Sequence, residues 1–163
     1  MRLPALVGRA AVAACTTAAA LLTALPATPP AQSAPTPVEI AVVPVAATDV
    51  ANTAVANALS KLGAPYRWGA AGPSAFDCSG LVYWAYQQAG KVLPRTSRAQ
   101  STVGVPVAKS DLRPGDLVFY YRPVSHVGIY IGNGKIVHAP TAGAPVKITG
   151  VDSMPFTTAR RVV

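Results

Sequence analysis

Apolar side chains recur at Ala51, Ala54, Val55, Ala58, Leu59 and Leu62, a spacing that lines one face of a helix. Thr48 or Asp49 offers its N-cap, and Gly63 followed by Pro65 supplies the stop. A second helix is predicted from Asp77, which caps it, along Leu81, Val82, Ala85 and Ala89 to Gly90. Cys78 then stands in its first turn. Residues 94–102 are expected to hold one short helical turn. Beyond them the period changes from that of a helix to that of a strand. Leu117–Tyr121, His126–Ile131, Lys135–Ala139, Val146–Thr149 and Thr158–Val162 are short, rich in β-branched or aromatic residues, and divided by Gly, Pro and Asn. Helices followed by an antiparallel meander of about five strands predict an α+β domain.

The chain upstream of Thr48 lacks this patterning. Arg2 and Arg9 precede an alanine-rich apolar run, Ala10 to Leu25, and a small-residue stretch ends near Ser33. A basic start, an apolar centre and a small-residue exit predict a secretory signal over residues 1–33, and the apolar run is shorter than the ~20 residues needed to span a bilayer. Val12-Ala-Ala-Cys15 has the form of a lipidation motif, but the apolar run continues past the cysteine, which disfavours lipidation. Residues 34–47 mix proline with short apolar residues and read as a linker or extended arm, leaving 48–163 as the folded domain. Within that arm, residues 38–47 are either a tether or a strap over a cleft.

Composition narrows the function. The full chain has 163 residues, 14 basic and 6 acidic, for a formal net charge of +8. Loss of Arg2 and Arg9 with the signal would leave +6, so an exported form would still be drawn to anionic surfaces. The cations are scattered and no nucleic-acid-binding motif is present, which argues against a nucleic-acid partner. Two cysteines cannot build a disulfide scaffold. With the signal removed, Cys78 would be unpaired in a compartment where thiols normally pair, which makes it either a small buried hydrophobe or a nucleophile.

The two histidines, His126 and His138, both fall in expected strands. A helix start and a nearby imidazole are two arrangements that favour a thiolate. In the strand from His126 to Ile131, the residues His126, Gly128 and Tyr130 share one face and Val127, Ile129 and Ile131 the other. A two-residue Asn133-Gly134 turn would set His138 opposite Ile129 and away from His126. A three-residue loop, Gly132 to Gly134 with Gly134 left-handed, would set it opposite Gly128 on the same face, and this loop is expected. Cys78 would then attack a carbonyl, His126 would take and return the proton, and His138 would orient the His126 ring. Zinc is the other chemistry these residue types allow, but separations of 48 and 12 positions match no compact metal motif.

Six blocks carry a family resemblance: Pro65-Tyr-Arg-Trp-Gly-Ala70, Phe76-Asp-Cys-Ser-Gly-Leu-Val82, Leu93-Pro-Arg-Thr-Ser97, Pro114-Gly-Asp-Leu-Val-Phe119, Ser125-His-Val-Gly-Ile-Tyr130 and Ile136-Val-His-Ala139. In this order the sequence resembles the NlpC/P60 family of cell-wall cysteine peptidases. The resemblance implies a papain-like α+β domain that cleaves peptidoglycan stem peptides, commonly between D-glutamate and a diamino acid, without metal or cofactor. It implies Cys78 as nucleophile, His126 as base and His138 as the third polar residue. Tyr66 matches a tyrosine that reaches the active site and supports the oxyanion or substrate. Asp77 and Ser79 match positions of the pocket on the amine side of the scissile bond.

Arg95 could meet a substrate carboxylate or an internal acid, and Ser125 adjoins the base as a further substrate-binding candidate. Asp116 reads as a turn residue, and Trp68 and Trp84 as packing more than as platforms. Expected partners are stem peptides and anionic wall polymers, with neither metal nor nucleic acid, and the chain is expected to be a monomer, secreted or wall-associated. An amidase or acyltransferase of the same superfamily and a non-catalytic wall-binding module are the competing functions.

Overall fold

The computed structural model describes residues 46–163. The expected signal, Cys15 and the arm up to residue 45 lie outside the described residues. Helix α1 (Ala47–Leu59) starts slightly before the expected cap: Ala46 is its N-cap, without a side-chain bond, and the N–H groups of Asp49 and Val50 both donate to the Ala46 carbonyl. Alanine is the strongest helix former, so the helix propagates back past Thr48. Asp49 instead occupies the first turn, where the helix dipole favours an acid. Gly63, with φ at +85°, turns the chain out after Leu59 and a further turn.

Helix α2 (Cys78–Gln88) forms as the pattern predicts. The Asp77 side chain accepts from the Gly80 N–H at 2.7 Å, and Leu81, Val82, Ala85 and Tyr86 form the buried face. α1 meets α2 through Ala54 and Ala58, both fully buried, and the Asn57 amide donates to the Ala85 carbonyl at 3.1 Å. A single turn, α3 (Ser97–Gln100), is capped by Thr96.

Six strands follow: β1 (Val105–Pro106), β2 (Leu117–Tyr120), β3 (His126–Gly132), β4 (Lys135–His138), β5 (Lys147–Gly150) and β6 (Phe156–Arg161). They form one antiparallel sheet in the order β1-β6-β2-β3-β4-β5. This corrects the simple meander, since β6 crosses back to pair with β2. The reason lies in burial. β2 is buried along its whole length, so an open edge there would strand its peptide groups, whereas β5 is largely exposed and tolerates being an edge.

The main core packs α1 and α2 onto Leu117, Phe119, Val127, Ile129 and Val137. On the opposite face Val118, Tyr120, Ile136 and Val151 form a second cluster, closed by Tyr130, Met154 and Phe156. Strands β2 and β3 are therefore sandwiched between two apolar layers, each fully buried aliphatic or aromatic side chain contributing about 1.5–3 kcal/mol.

The β3–β4 connection corrects the expected loop while keeping its consequence. Gly132 pairs directly with Lys135 around a two-residue turn in which Asn133 and Gly134 have φ of +52° and +65°. The extra residue is Ile131, a bulge between Tyr130 and Gly132 that shifts the register back. Ile129 then faces Val137, and by continuation Gly128 faces His138, on the same side of the sheet as His126.

Candidate active site

The start of α2 is held by one carboxylate. Asp77 accepts from the N–H groups of Gly80 and Gly69, the latter at 2.9 Å, from the Ser79 hydroxyl at 3.3 Å, and from both Arg95 terminal nitrogens at 2.9 and 2.7 Å. Arg95 also donates to Ser79 Oγ at 3.0 Å and to the Ala70 carbonyl at 3.2 Å. The bidentate geometry is that of a strong charge-assisted pair. Gly80 makes the arrangement possible: a Cβ there would lie 2.0 Å from the Ala70 oxygen.

This network positions Cys78, a half-buried free thiol. The amides of Ser79, Val127 and Cys78 itself act on its sulfur and favour the anion, but burial, followed by the charge of Asp77, outweighs them and raises the thiol pKa. The position at the helix start therefore does not leave the thiol with a lowered pKa. Val127 follows His126 and packs in the same core cluster as Cys78, which brings the start of β3 beside the start of α2.

The other part of the candidate site is a pair of histidines. His126 Nε2 lies 2.8 Å from His138 Nδ1, with the rings nearly perpendicular at 84°. Both are buried, 6% and 3% exposed, and His138 Nε2 has no hydrogen-bond partner among the described residues. Burial lowers both pKa values to about 4, and for His138 the neighbouring His126 and then Lys147 add to the effect. Both rings are thus neutral at pH 7. Gly128 leaves room for their contact, since a Cβ there would meet Ile136 Cδ1 at 2.8 Å and His138 Cβ at 3.3 Å.

A groove of about 350 Å³ opens over the thiol, lined by Cys78, Asp77, Ser79, Arg95, Ser125 and Trp68 among others. His126 and His138 are not among its lining residues. Tyr66 bridges to Phe76 beside it, and its phenol is held protonated by burial and then by the charges of Cys78 and Asp77. The two tryptophans divide: Trp84 packs edge-on against Phe76 with Lys61 over its ring, whereas Trp68 is 86% exposed on the groove. Asp116 keeps the expected turn role, accepting from the Arg113 N–H and pairing with Arg161 at 2.7 Å.

One contributor is not visible in the sequence pattern. Gln100, fully buried in α3, donates through Nε2 to the carbonyls of Ser79 and Pro94 at 3.1 and 2.8 Å, tying the α2 start to the segment that carries Arg95. A polar residue in a short turn after Pro94 carries no periodic signal of burial. Among the described residues no three His, Cys, Asp or Glu side chains are grouped to hold a metal ion.

The profile described as the NlpC/P60 family matches residues 63–161. The chain belongs to the NlpC/P60 family. A probable endopeptidase of Corynebacterium glutamicum is 54% identical over 104 residues, 64% of this chain and 50% of that protein. The murein DD-endopeptidase MepH of Escherichia coli is 41% identical over 101 residues, 57% of this chain and 37% of that protein. The chain spans about half the length, or less, of these curated relatives. Among solved structures, the peptidoglycan hydrolase RipB of Mycobacterium tuberculosis superposes with a TM-score of 0.67 at 30% identity, covering 72% of this chain and 66% of that one. NlpC2 of Trichomonas vaginalis does so with a TM-score of 0.66 at 35% identity, covering 69% and 47%. The helices on a six-stranded antiparallel sheet are thus the fold of NlpC/P60 structures.

Proposed function

We propose that this NlpC/P60 domain is an exported cysteine endopeptidase that hydrolyses peptidoglycan stem peptides, at the bond from D-glutamate to the diamino acid. The observation that carries this reading is the buried His126–His138 pair at 2.8 Å, on a strand whose next residue, Val127, packs in one core cluster with Cys78. A thiol at the start of α2, a neutral base at the start of β3 and an orienting group at the end of β4 are the parts this chemistry needs. Residues 1–33 direct export in this reading, 34–47 link, and the domain begins near residue 48. Wall polymers attract the cationic surface, and the monomer needs no metal or cofactor.

His126 must present a lone pair at Nδ1 to act as base. Its proton then sits on Nε2 and is donated to His138 Nδ1, which places the His138 proton on Nε2. Cys78 Sγ attacks the glutamyl carbonyl carbon as its proton passes to His126 Nδ1, and the carbonyl electron pair moves onto oxygen. The protonated Tyr66 hydroxyl and the Cys78 N–H are the donors for that oxyanion. The intermediate collapses as the C–N bond breaks, and the leaving amine takes the proton from His126. Water then adds to the thioester with His126 as base, releasing the carboxylate product and restoring the thiol. Asp77, Ser79 and Arg95 form the wall on the amine side, and Ser125 the rim beside the base.

Defined muropeptides incubated with wild type and Cys78→Ala test the reading. Wild type should release fragments ending in D-glutamate, and Cys78→Ala, folded by circular dichroism, should release none. Equal cleavage by the variant would overturn the mechanism. A product cut at another bond would move the chain to the amidase or acyltransferase reading.

A further inference from the structure

Across the sheet from His138 stands a cation that the mechanism does not use. His138 pairs directly with Lys147 in the β4–β5 ladder, and residues opposite one another on antiparallel strands share a face, with Cβ atoms about 4.5–5.5 Å apart. Lys135, the other cation of these two strands, falls on the opposite face with Val137. Lys147 is exposed on the edge strand, and the three ion pairs among the described residues leave it out.

The orientation of the His138 ring limits what this cation can do. Nδ1 is turned to His126 on β3, and the two nitrogens of an imidazole point in nearly opposite directions, so Nε2 is turned to the β5 side. Nε2 has no hydrogen-bond partner, so Lys147 does not donate to it. Such a bond would hold the lone pair on Nε2 and the proton on Nδ1, the reverse of the tautomer that frees His126 Nδ1. Lys147 therefore acts on the pair by charge alone.

The other groups around the pair set no free charge against it. From β2, the Tyr120 ring lies 6.1 Å from that of His126, and its phenol donates to the Val151 carbonyl, with its pKa raised by burial. Tyr130 of β3 shares the face, and its hydroxyl accepts from the Gly134 N–H. The start of α2 brings the Cys78 thiol, its pKa raised by burial, and Asp77, which is paired with Arg95. A further proton on the two imidazoles would thus place one cation opposite another. Lys147 accordingly adds, after burial and His126, to the lowering of the His138 pKa.

We propose that Lys147 sets the acid edge of activity, its charge opposing the uptake of a proton by the His126–His138 pair. This rests on the proposed Cys78 reaction and gives it a residue that acts through His138.

The test is the pH profile of kcat/KM on a defined muropeptide for wild type, Lys147→Arg, Lys147→Met and Lys147→Glu. Loss of the cation makes charging of the pair easier, so the acid limb moves to higher pH. At the dielectric of an exposed site the rise should be about 0.5 pH unit in Lys147→Met and about 1 unit in Lys147→Glu. Lys147→Arg should keep the wild-type limb. Added salt should move the wild-type limb toward that of Lys147→Met and leave the Met variant's in place, because an exposed charge is screened. A limb that stays put in both Lys147→Met and Lys147→Glu, or that moves as far in Lys147→Arg as in Lys147→Met, overturns the proposal. The ring resonances of both histidines, titrated by NMR in Cys78→Ala with and without Lys147→Met, read the same shift without cleavage. If wild type cleaves no muropeptide the proposed reaction falls, whereas ring titrations unmoved by loss of Lys147 overturn the charge coupling whatever the activity.

Discussion

The two sides of the candidate site are built by opposite means. On the cysteine side one carboxylate, Asp77, is saturated by five donors drawn from three segments of chain. On the histidine side two imidazoles share a single bond, and His138 Nε2 is buried without a partner among the described residues. Saturation fixes geometry, because each group is held by several directional bonds. Under-satisfaction sets proton affinity instead, because a buried ring without compensating bonds resists charging. One side therefore decides where the sulfur sits, and the other decides when a proton can move.

The sharpest way to break this contrast is Asp77→Ala. It removes an N-cap, worth about 0.5–2 kcal/mol, together with charge-assisted bonds worth about 1.5–3 kcal/mol. A loss near 3 kcal/mol in urea denaturation is expected, with activity falling as the Cys78 turn loosens. A loss below about 1 kcal/mol would mean that this side is held by packing and not by the carboxylate.

How far each side could be read from sequence follows the same division. The Asp77 cap, α2 and the position of Cys78 depend on neighbours within a few residues, and so they are legible. The common face of His126 and His138 follows from strand parity, given one extra residue in the connection. Where that residue sits was not legible, because a bulge at Ile131 and a three-residue loop restore the same register. The return of β6 to β2, the burial of Gln100 and the filling of Asp77 by Arg95 and Gly69 depend on partners distant in sequence, which a local pattern does not encode. The raised thiol pKa belongs with these, since it is the burial of the folded groove that overrides the helix start.

Acid exposes the histidine side. Both imidazoles titrate at about 4 in the fold against 6.5 for an unperturbed histidine. Between these values the unfolded chain takes up protons that the fold refuses, so stability is complete above about pH 6.5 and declines as the pH falls toward 4. For one imidazole the shift converts to about 3 kcal/mol at 1.36 kcal/mol per unit. Urea midpoints measured across this window should fall in wild type and stay flatter in a His126→Gln/His138→Gln variant. The acid limb of kcat/KM, which reports the free enzyme's base, should lie well below pH 6.5. A limb at 6.5 would show that His126 is more solvated than its burial implies.

The smallest expected effect on stability separates orientation from packing within the histidine side. In His138→Asn, Oδ1 stands as many bonds from the backbone as Nδ1 does and can accept the same proton from His126 Nε2. The change also deletes the unpartnered Nε2, which offsets part of the cavity left by the ring. Net stability should move by no more than about 1 kcal/mol, since the two terms oppose. His138→Leu fills more of the space but offers no acceptor, so it should match or exceed the Asn variant in stability while losing far more kcat, with KM little changed. Equal kcat in the two variants would mean that His138 only fills space beneath His126. A higher kcat in the Asn variant, with the acid limb kept in place, would assign its role to holding the His126 proton on Nε2.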